Sequence, residues 1–136
     1  MDISLLSLAG IAAHLMYFGV ASIAVVVFVA IYVMVTPYHE LRLIRLGNTA
    51  AAISLSGAVL GYTIPLAKSV SQSESIPEML LWGGVALVAQ LLAYGVTRLI
   101  VPRLSSDVGE GKTASGIFLA AISIAVGMLN AAAMTE

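Results

Sequence analysis

Apolar residues occur in four long runs separated by short polar segments, and this pattern organises the whole chain. Each run has about 20 residues, the length that a helix rising ~1.5 Å per residue needs to cross a hydrocarbon layer of ~30 Å. Pro37 and Pro102 stop the first and third runs, and Asn48 is a favourable N-cap for the second. The predicted spans are residues 17–36, Asn48 to Pro65, 82–101 and about 113–133.

Composition supports a membrane environment and excludes several chemistries. Of the 136 residues, 60% are hydrophobic and 10% are charged, whereas soluble domains carry about 25% charged residues. The chain is therefore predicted to be an all-α membrane protein, a single membrane domain over residues 1–136. The net charge of -1 offers no basic stripe for nucleic acid, and the lack of cysteine excludes disulfides and thiolate chemistry.

Charged residues collect in the segments between spans. The first such segment, residues 37–48, is predicted to form a short amphipathic turn in the lipid headgroups, with its guanidinium groups facing phosphate. The segment from Lys68 to Glu78 is predicted to be an exposed loop. Docking of membrane lipid or of a peripheral cytoplasmic protein is one interpretation, and topology-setting charge is the other. The candidate docking residues are Glu40, Arg42, Arg45, Arg103 and Lys112.

The distribution of basic residues predicts the orientation. Loops one and three, with the adjoining helix ends, hold five basic residues, whereas loop two holds only Lys68. Because cytoplasmic loops are enriched in Lys and Arg, loops one and three are predicted to be cytoplasmic and both termini to lie outside.

Small residues along the spans predict close helix packing. Gly57 and Gly61 form a G-x-x-x-G motif, and Gly83 and Gly127 lie on similar stripes of later spans. Gln90 lies about 12 Å along the helix from Trp82, close to the bilayer midplane. Its amide is predicted to face protein and to form a polar contact between helices.

No catalytic, cofactor-binding or metal-binding residues are predicted. The run Gly109-Glu110-Gly111-Lys112-Thr113 is not a phosphate loop, because Ser106 stands where the motif needs glycine and no strand precedes it. With two histidines and no cysteine, the parts of a nucleophile-base pair are missing. The chain is therefore predicted not to be an enzyme.

The spans are predicted to form two repeats. Gly47 and Thr49 recur 64 residues later as Gly111 and Thr113. Each repeat, residues 1–68 and 77–136, contains two spans, so both repeats start on the same side and have parallel orientations.

Nearly the whole chain resembles a known family. The run Thr36-Pro37-Tyr38-His39-Glu40-Leu41, the segment from Gly47 to Ala52, and the ending Val126-Gly127-Met128-Leu129-Asn130-Ala131-Ala132 are similar to the domain of unknown function 350. These are small bacterial inner-membrane proteins with a duplicated two-helix unit. The resemblance implies a bacterial inner (plasma) membrane location and an association with envelope-stress systems. It implies no biochemical activity.

Two functions fit these observations. The first is a scaffold or adaptor whose small-residue faces pack into a tight four-helix unit that forms homo-oligomers. Its basic loops dock lipid headgroups or a peripheral protein. The alternative is an oligomeric passive channel or transport subunit, with copies surrounding a lumen lined by polar residues of the spans. The predicted lining residues are Ser54, Gln90, Thr97 and Ser123.

Overall fold

The computed structural model describes residues 3–134, which form four long and two short helices and no strand. Within this range all four long helices are long and apolar enough to cross a membrane. The prediction of an all-α protein with four transmembrane helices is therefore confirmed. The helices are α1 Ile3–Val35, α2 Glu40–Arg45, α3 Thr49–Gln72, α4 Ile76–Ile100, α5 Leu104–Gly109 and α6 Thr113–Ala133.

The two short helices lie together at one end of the bundle, which we call the short-helix end. The side-chain amide of Asn48, just before α3, donates to the carbonyl oxygen of Val108 in α5 at 2.9 Å. Gly47 (φ 86°) and Gly111 (φ 79°) have positive φ, which residues with a side chain rarely adopt, and they allow the sharp turns into α3 and α6. Each half of the chain thus consists of a long helix, a short helix and a second long helix. The sequence repeat itself stays a prediction.

Two of the predicted boundaries were wrong. Helix α1 extends back to Ile3, well before Tyr17, because a count based on membrane thickness cannot detect a helix that continues beyond the bilayer. Residues 68–72, predicted to be loop, continue α3. Packing stabilises this last turn: the Ser69 hydroxyl donates to the Met79 carbonyl oxygen at 3.2 Å, and Lys68 Nζ donates to the Ala131 carbonyl oxygen at 2.7 Å.

Helices α3 and α6 pack with backbones in direct contact. A Cβ added at Gly57 would come within 3.0 Å of Ala120, and one at Gly127 would overlap the backbone of Gly61. At Gly83 the nearest atom would be the Tyr62 hydroxyl at 3.3 Å, the end of a side chain that can move. The close approach supplies dispersion contacts that lipid does not replace.

Helix α1 is held mainly through its C-terminal third. Phe28 and Tyr32 are fully buried, and the Phe28 ring stacks on Tyr62 with centroids 4.3 Å apart. Residues 6–16 are all exposed on every face. Only 11% of the most apolar window of α1 is buried, against 56% for α3. The first helix therefore lies beside a compact α3, α4 and α6 unit.

Candidate functional site

The least expected feature of the short-helix end is a buried carboxyl group. Glu40, the first residue of α2, is 0% exposed. Its Oε1 lies 2.5 Å from Thr36 Oγ1, and its Oε2 has no hydrogen-bond partner among the described residues. Burial raises the pKa of the Glu40 carboxyl, an effect that the Thr36 hydrogen bond opposes. The group therefore favours its neutral form more than an exposed glutamate does.

Glu40 corrects the prediction of an exposed docking residue. In a helix, residues three and four apart share a face, so Glu40 lies with Leu43 and Ile44. Both of these pack against the hydrophobic core, whereas Leu41 remains exposed. The carboxyl is thus carried inward by the apolar side of α2. The same spacing was present in the sequence and could have indicated burial.

Two tyrosines lie near this carboxyl and a third packs against them, and sequence reasoning missed all three. Tyr32, Tyr38 and Tyr94 are buried, with ring centroids of Tyr94 at 6.1 Å from Tyr32 and 6.3 Å from Tyr38. The hydroxyls of Tyr32 and Tyr38 have no partner among the described residues. Burial is the main cause that raises the pKa of Tyr38, and the nearby Tyr32, Glu40 and Tyr94 raise it further. We call Tyr32, Thr36, Tyr38 and Glu40 the carboxyl cluster.

Gln90 lies inside the bundle and bridges two helices. Its Nε2 donates to the carbonyl oxygen of Ser123 at 3.0 Å, joining α4 to α6, and the residue is 1% exposed. Its Oε1 has no partner among residues 3–134. Nearby polar side chains bond within their own helices: Thr97 donates to the Ala93 carbonyl at 2.8 Å. The side chains of Gln90 and Thr97 thus face the protein interior.

The other predicted docking residues lie at the surface of the short-helix end. Arg42, Arg45, Arg103 and Lys112 are all exposed. Lys112 lies 3.4 Å from Asp107 and 3.5 Å from Glu110, so its charge is partly compensated. In the described part of the chain none of the three arginines forms an ion pair. Their charge is available to a ligand outside the chain.

Asp107 organises the segment that contains α5 and leads into α6. It accepts a hydrogen bond from the Ser115 hydroxyl at 2.9 Å, which connects α5 to the first turn of α6. This bond, and then Lys112, lowers the pKa of the Asp107 carboxyl. Two carboxyls at the same end of the bundle therefore shift in opposite directions, because one is buried and the other is paired.

The geometry limits the chemistry available. Among the described residues no three His, Cys, Asp or Glu side chains come together as a metal site would require. An open groove of about 550 Å³ between α1 and α3 has mostly apolar walls, with His14 stacked near Phe18 at 6.0 Å between ring centroids. The carboxyl cluster can store a proton, and the arginines can bind anions.

This fold and site define a class: a four-helix membrane protein with a buried carboxyl inside and exposed arginines outside. The family model described as Domain of Unknown Function (DUF350) matches residues 5–134. The chain belongs to this family, which confirms the resemblance drawn from the motifs.

Two relatives have names that place them in membranes. The chain is 43% identical over 119 residues to the UPF0719 inner membrane protein YjfL of Escherichia coli K12, covering 88% of this chain and 90% of the relative. It is 30% identical over 118 residues to the UPF0719 transmembrane protein YshE of Bacillus subtilis 168, covering 85% and 88%. Neither name carries an activity. No solved structure matches the chain.

Proposed function

We propose that the chain is a bacterial inner-membrane scaffold or adaptor that binds anionic lipid headgroups at its short-helix end. The observation that carries this proposal is the set of exposed arginines, Arg42, Arg45 and Arg103, without ion pairs in the described chain. Guanidinium groups bind phosphate oxygens in a bidentate manner, and each basic residue near an anionic surface contributes about 1 kcal/mol.

The orientation belongs to the same proposal. The excess of basic residues at the short-helix end favours a cytoplasmic position for loops one and three, with both termini outside. The name of the Escherichia coli relative supports an inner-membrane location. The uncovered surface of α1 leaves room for a second copy of the chain, which supports a homo-oligomer. A peripheral cytoplasmic protein, such as a component of an envelope-stress system, is the competing ligand of the arginines.

Native mass spectrometry of the protein released from lipid nanodiscs tests headgroup binding. Nanodiscs contain phosphatidylglycerol and phosphatidylcholine in equal amounts, and the lipids retained on the protein are counted. The variant R42Q/R45Q/R103Q should lose its preference for phosphatidylglycerol, with affinity falling about fivefold per arginine. The matched control is Lys112→Gln, because Lys112 already pairs with Asp107 and Glu110, and its effect should be smaller.

Equal retention of phosphatidylglycerol by wild type and triple variant would overturn the headgroup proposal. Capture of one cytoplasmic protein by the wild type and not by the triple variant, with unchanged lipid retention, would assign the arginines to a protein partner instead. The number of copies in the same spectra tests the homo-oligomer.

The alternative of a passive channel has less support. Its predicted lining residues, Ser54, Gln90, Thr97 and Ser123, are at most 1% exposed and lie inside a single chain. A lumen between copies would need polar groups on the outer surface of the spans. Conductance in reconstituted bilayers that disappears in Gln90→Leu would nevertheless favour the channel over the scaffold.

A further inference from the structure

The hydrogen bonds of Thr36 are best satisfied when Glu40 carries a proton. Its Oγ1 is 3.2 Å from the Tyr32 carbonyl oxygen and 2.5 Å from Glu40 Oε1, but a threonine hydroxyl has one hydrogen to donate. A neutral Glu40 resolves this, because its O–H can donate to Thr36 Oγ1 while the threonine hydroxyl donates to Tyr32. An ionised Glu40 would supply no hydrogen.

Among the described residues no ion pair compensates an ionised Glu40, and the arginines of its own helix are exposed. His39 is also exposed, and its nearby charge lowers the pKa of Glu40 less than burial raises it. A charge buried without a partner is costly, so the group stays neutral or moves to water. The titratable or hydroxyl groups near Glu40 or its neighbour Tyr38 are Tyr32 of α1, Thr36 and His39 between α1 and α2, Ser54 of α3 and Tyr94 of α4.

From this geometry we infer that Glu40 is a proton-binding site and that the bound proton holds α2 against the bundle. When Glu40 ionises, α2 must release its inner face so that the carboxylate reaches water. The released helix carries Arg42 and Arg45, so proton binding controls how these residues are presented. The inference concerns the position of α2 and stands whether or not the arginines bind lipid.

The direction of the pH dependence follows from linkage. Docking of α2 raises the pKa of Glu40 above its ordinary 4.5, so the docked state binds the proton more tightly than the released state. Docking is therefore strongest below pH 4.5 and weakens as the pH rises toward the raised pKa. Each pH unit within this window shifts the equilibrium toward release by up to about tenfold.

Hydrogen exchange on the full chain in nanodiscs, measured over a series of pH values and corrected for intrinsic exchange rates, tests the inference. The amides of Leu43 and Leu46 donate within α2 and report its docking. Their protection should fall by up to about tenfold per pH unit in the wild type, while protection in α6 stays constant. In Glu40→Gln the α2 protection should be high and independent of pH, because glutamine is neutral and of similar shape.

Three outcomes would overturn the inference. A flat pH profile of α2 in the wild type would show that Glu40 does not control docking. Loss of the pH dependence in His39→Gln would make His39 the titrating group. A change in α2 protection when Na⁺ replaces choline at constant pH would make the cluster a cation site instead of a proton site.

Infrared spectroscopy keeps the inference testable if Glu40→Gln does not fold. The wild type and His39→Gln should both show a protonated carboxyl band that disappears as the pH rises in parallel with the loss of α2 protection. A carboxyl spectrum that stays fully ionised throughout this pH range would overturn the inference.

Discussion

Helix α1 and the pair α3 and α6 are all apolar enough to cross a membrane, yet they are built into the protein in different ways. Residues 6–16 of α1 are exposed throughout, whereas α3 and α6 meet with backbones in contact at Gly61 and Gly127. In a bilayer apolar surface gains nothing by leaving lipid for protein, so shape complementarity decides which helices associate. The comparison teaches that hydrophobicity places a helix in the membrane, and that a close fit between two helix surfaces decides whether it packs.

Adding a methyl group at the contact between α3 and α6 should cause the largest loss of stability among the three changes. In Gly127→Ala the added methyl would overlap the backbone of Gly61, and the helices must separate. We expect a loss of stability of about 1–3 kcal/mol, seen as a lower midpoint of thermal unfolding in detergent. The matched control is Gly19→Ala on α1, where nothing lies within 4 Å and a better helix former should be neutral or stabilising. Equal midpoints for both variants would contradict the comparison.

The attachment of α1 should depend on one aromatic contact. Phe28 stacks on Tyr62 at 4.3 Å, so Phe28→Ala should lose about 0.5–1.5 kcal/mol of packing. The released helix should then show faster hydrogen exchange over residues 20–35, with α3 unchanged. Phe18, which is 62% exposed, is the matched control, and Phe18→Ala should leave exchange in that region as it is. Unchanged exchange in Phe28→Ala would mean that other contacts hold α1.

Removing the bridge from Gln90 should have the smallest effect of the three. Gln90→Leu loses the hydrogen bond to the Ser123 carbonyl oxygen, and single polar contacts between membrane helices average about 0.6 kcal/mol. Among the described residues the Ser22 hydroxyl of α1 donates to Phe18 of its own helix and to no other helix, so Ser22→Ala should be neutral. Chemical unfolding by SDS, followed by circular dichroism, measures both. A Gln90→Leu variant as stable as Ser22→Ala would show that the bridge contributes nothing.

Most of the fold could be predicted from the sequence because, in a membrane, the residues within each span largely determine where its helix lies. Without water in the bilayer each span must satisfy its backbone hydrogen bonds within its own helix, so run length and caps define it. Residues 113–133, Asn48 as a cap and the proline stops were predicted on this basis, and the helices agree. The last turn of α3 was missed because Ser69 and Lys68 are held by partners distant in sequence.

The candidate site was predictable only in part. The exposed arginines of α2 and the interior position of Gln90 followed from charge and from helical periodicity. The burial of Glu40 depends on where α2 lies against the bundle, and a count of charged loop residues placed it in water. A six-residue helix can be recognised as amphipathic from its sequence, but its partner cannot.

The sequence by itself determined that this protein crosses a membrane four times, that two of its helices begin at Thr49 and Thr113, and which end carries the basic residues. These properties depend on hydrophobicity, caps and charge, which act over one helix or one loop. Only the tertiary structure decided that α1 remains largely uncovered and that Glu40 is enclosed with Tyr32 and Tyr38. Burial depends on contacts between segments that are far apart in the chain, and no local pattern contains them.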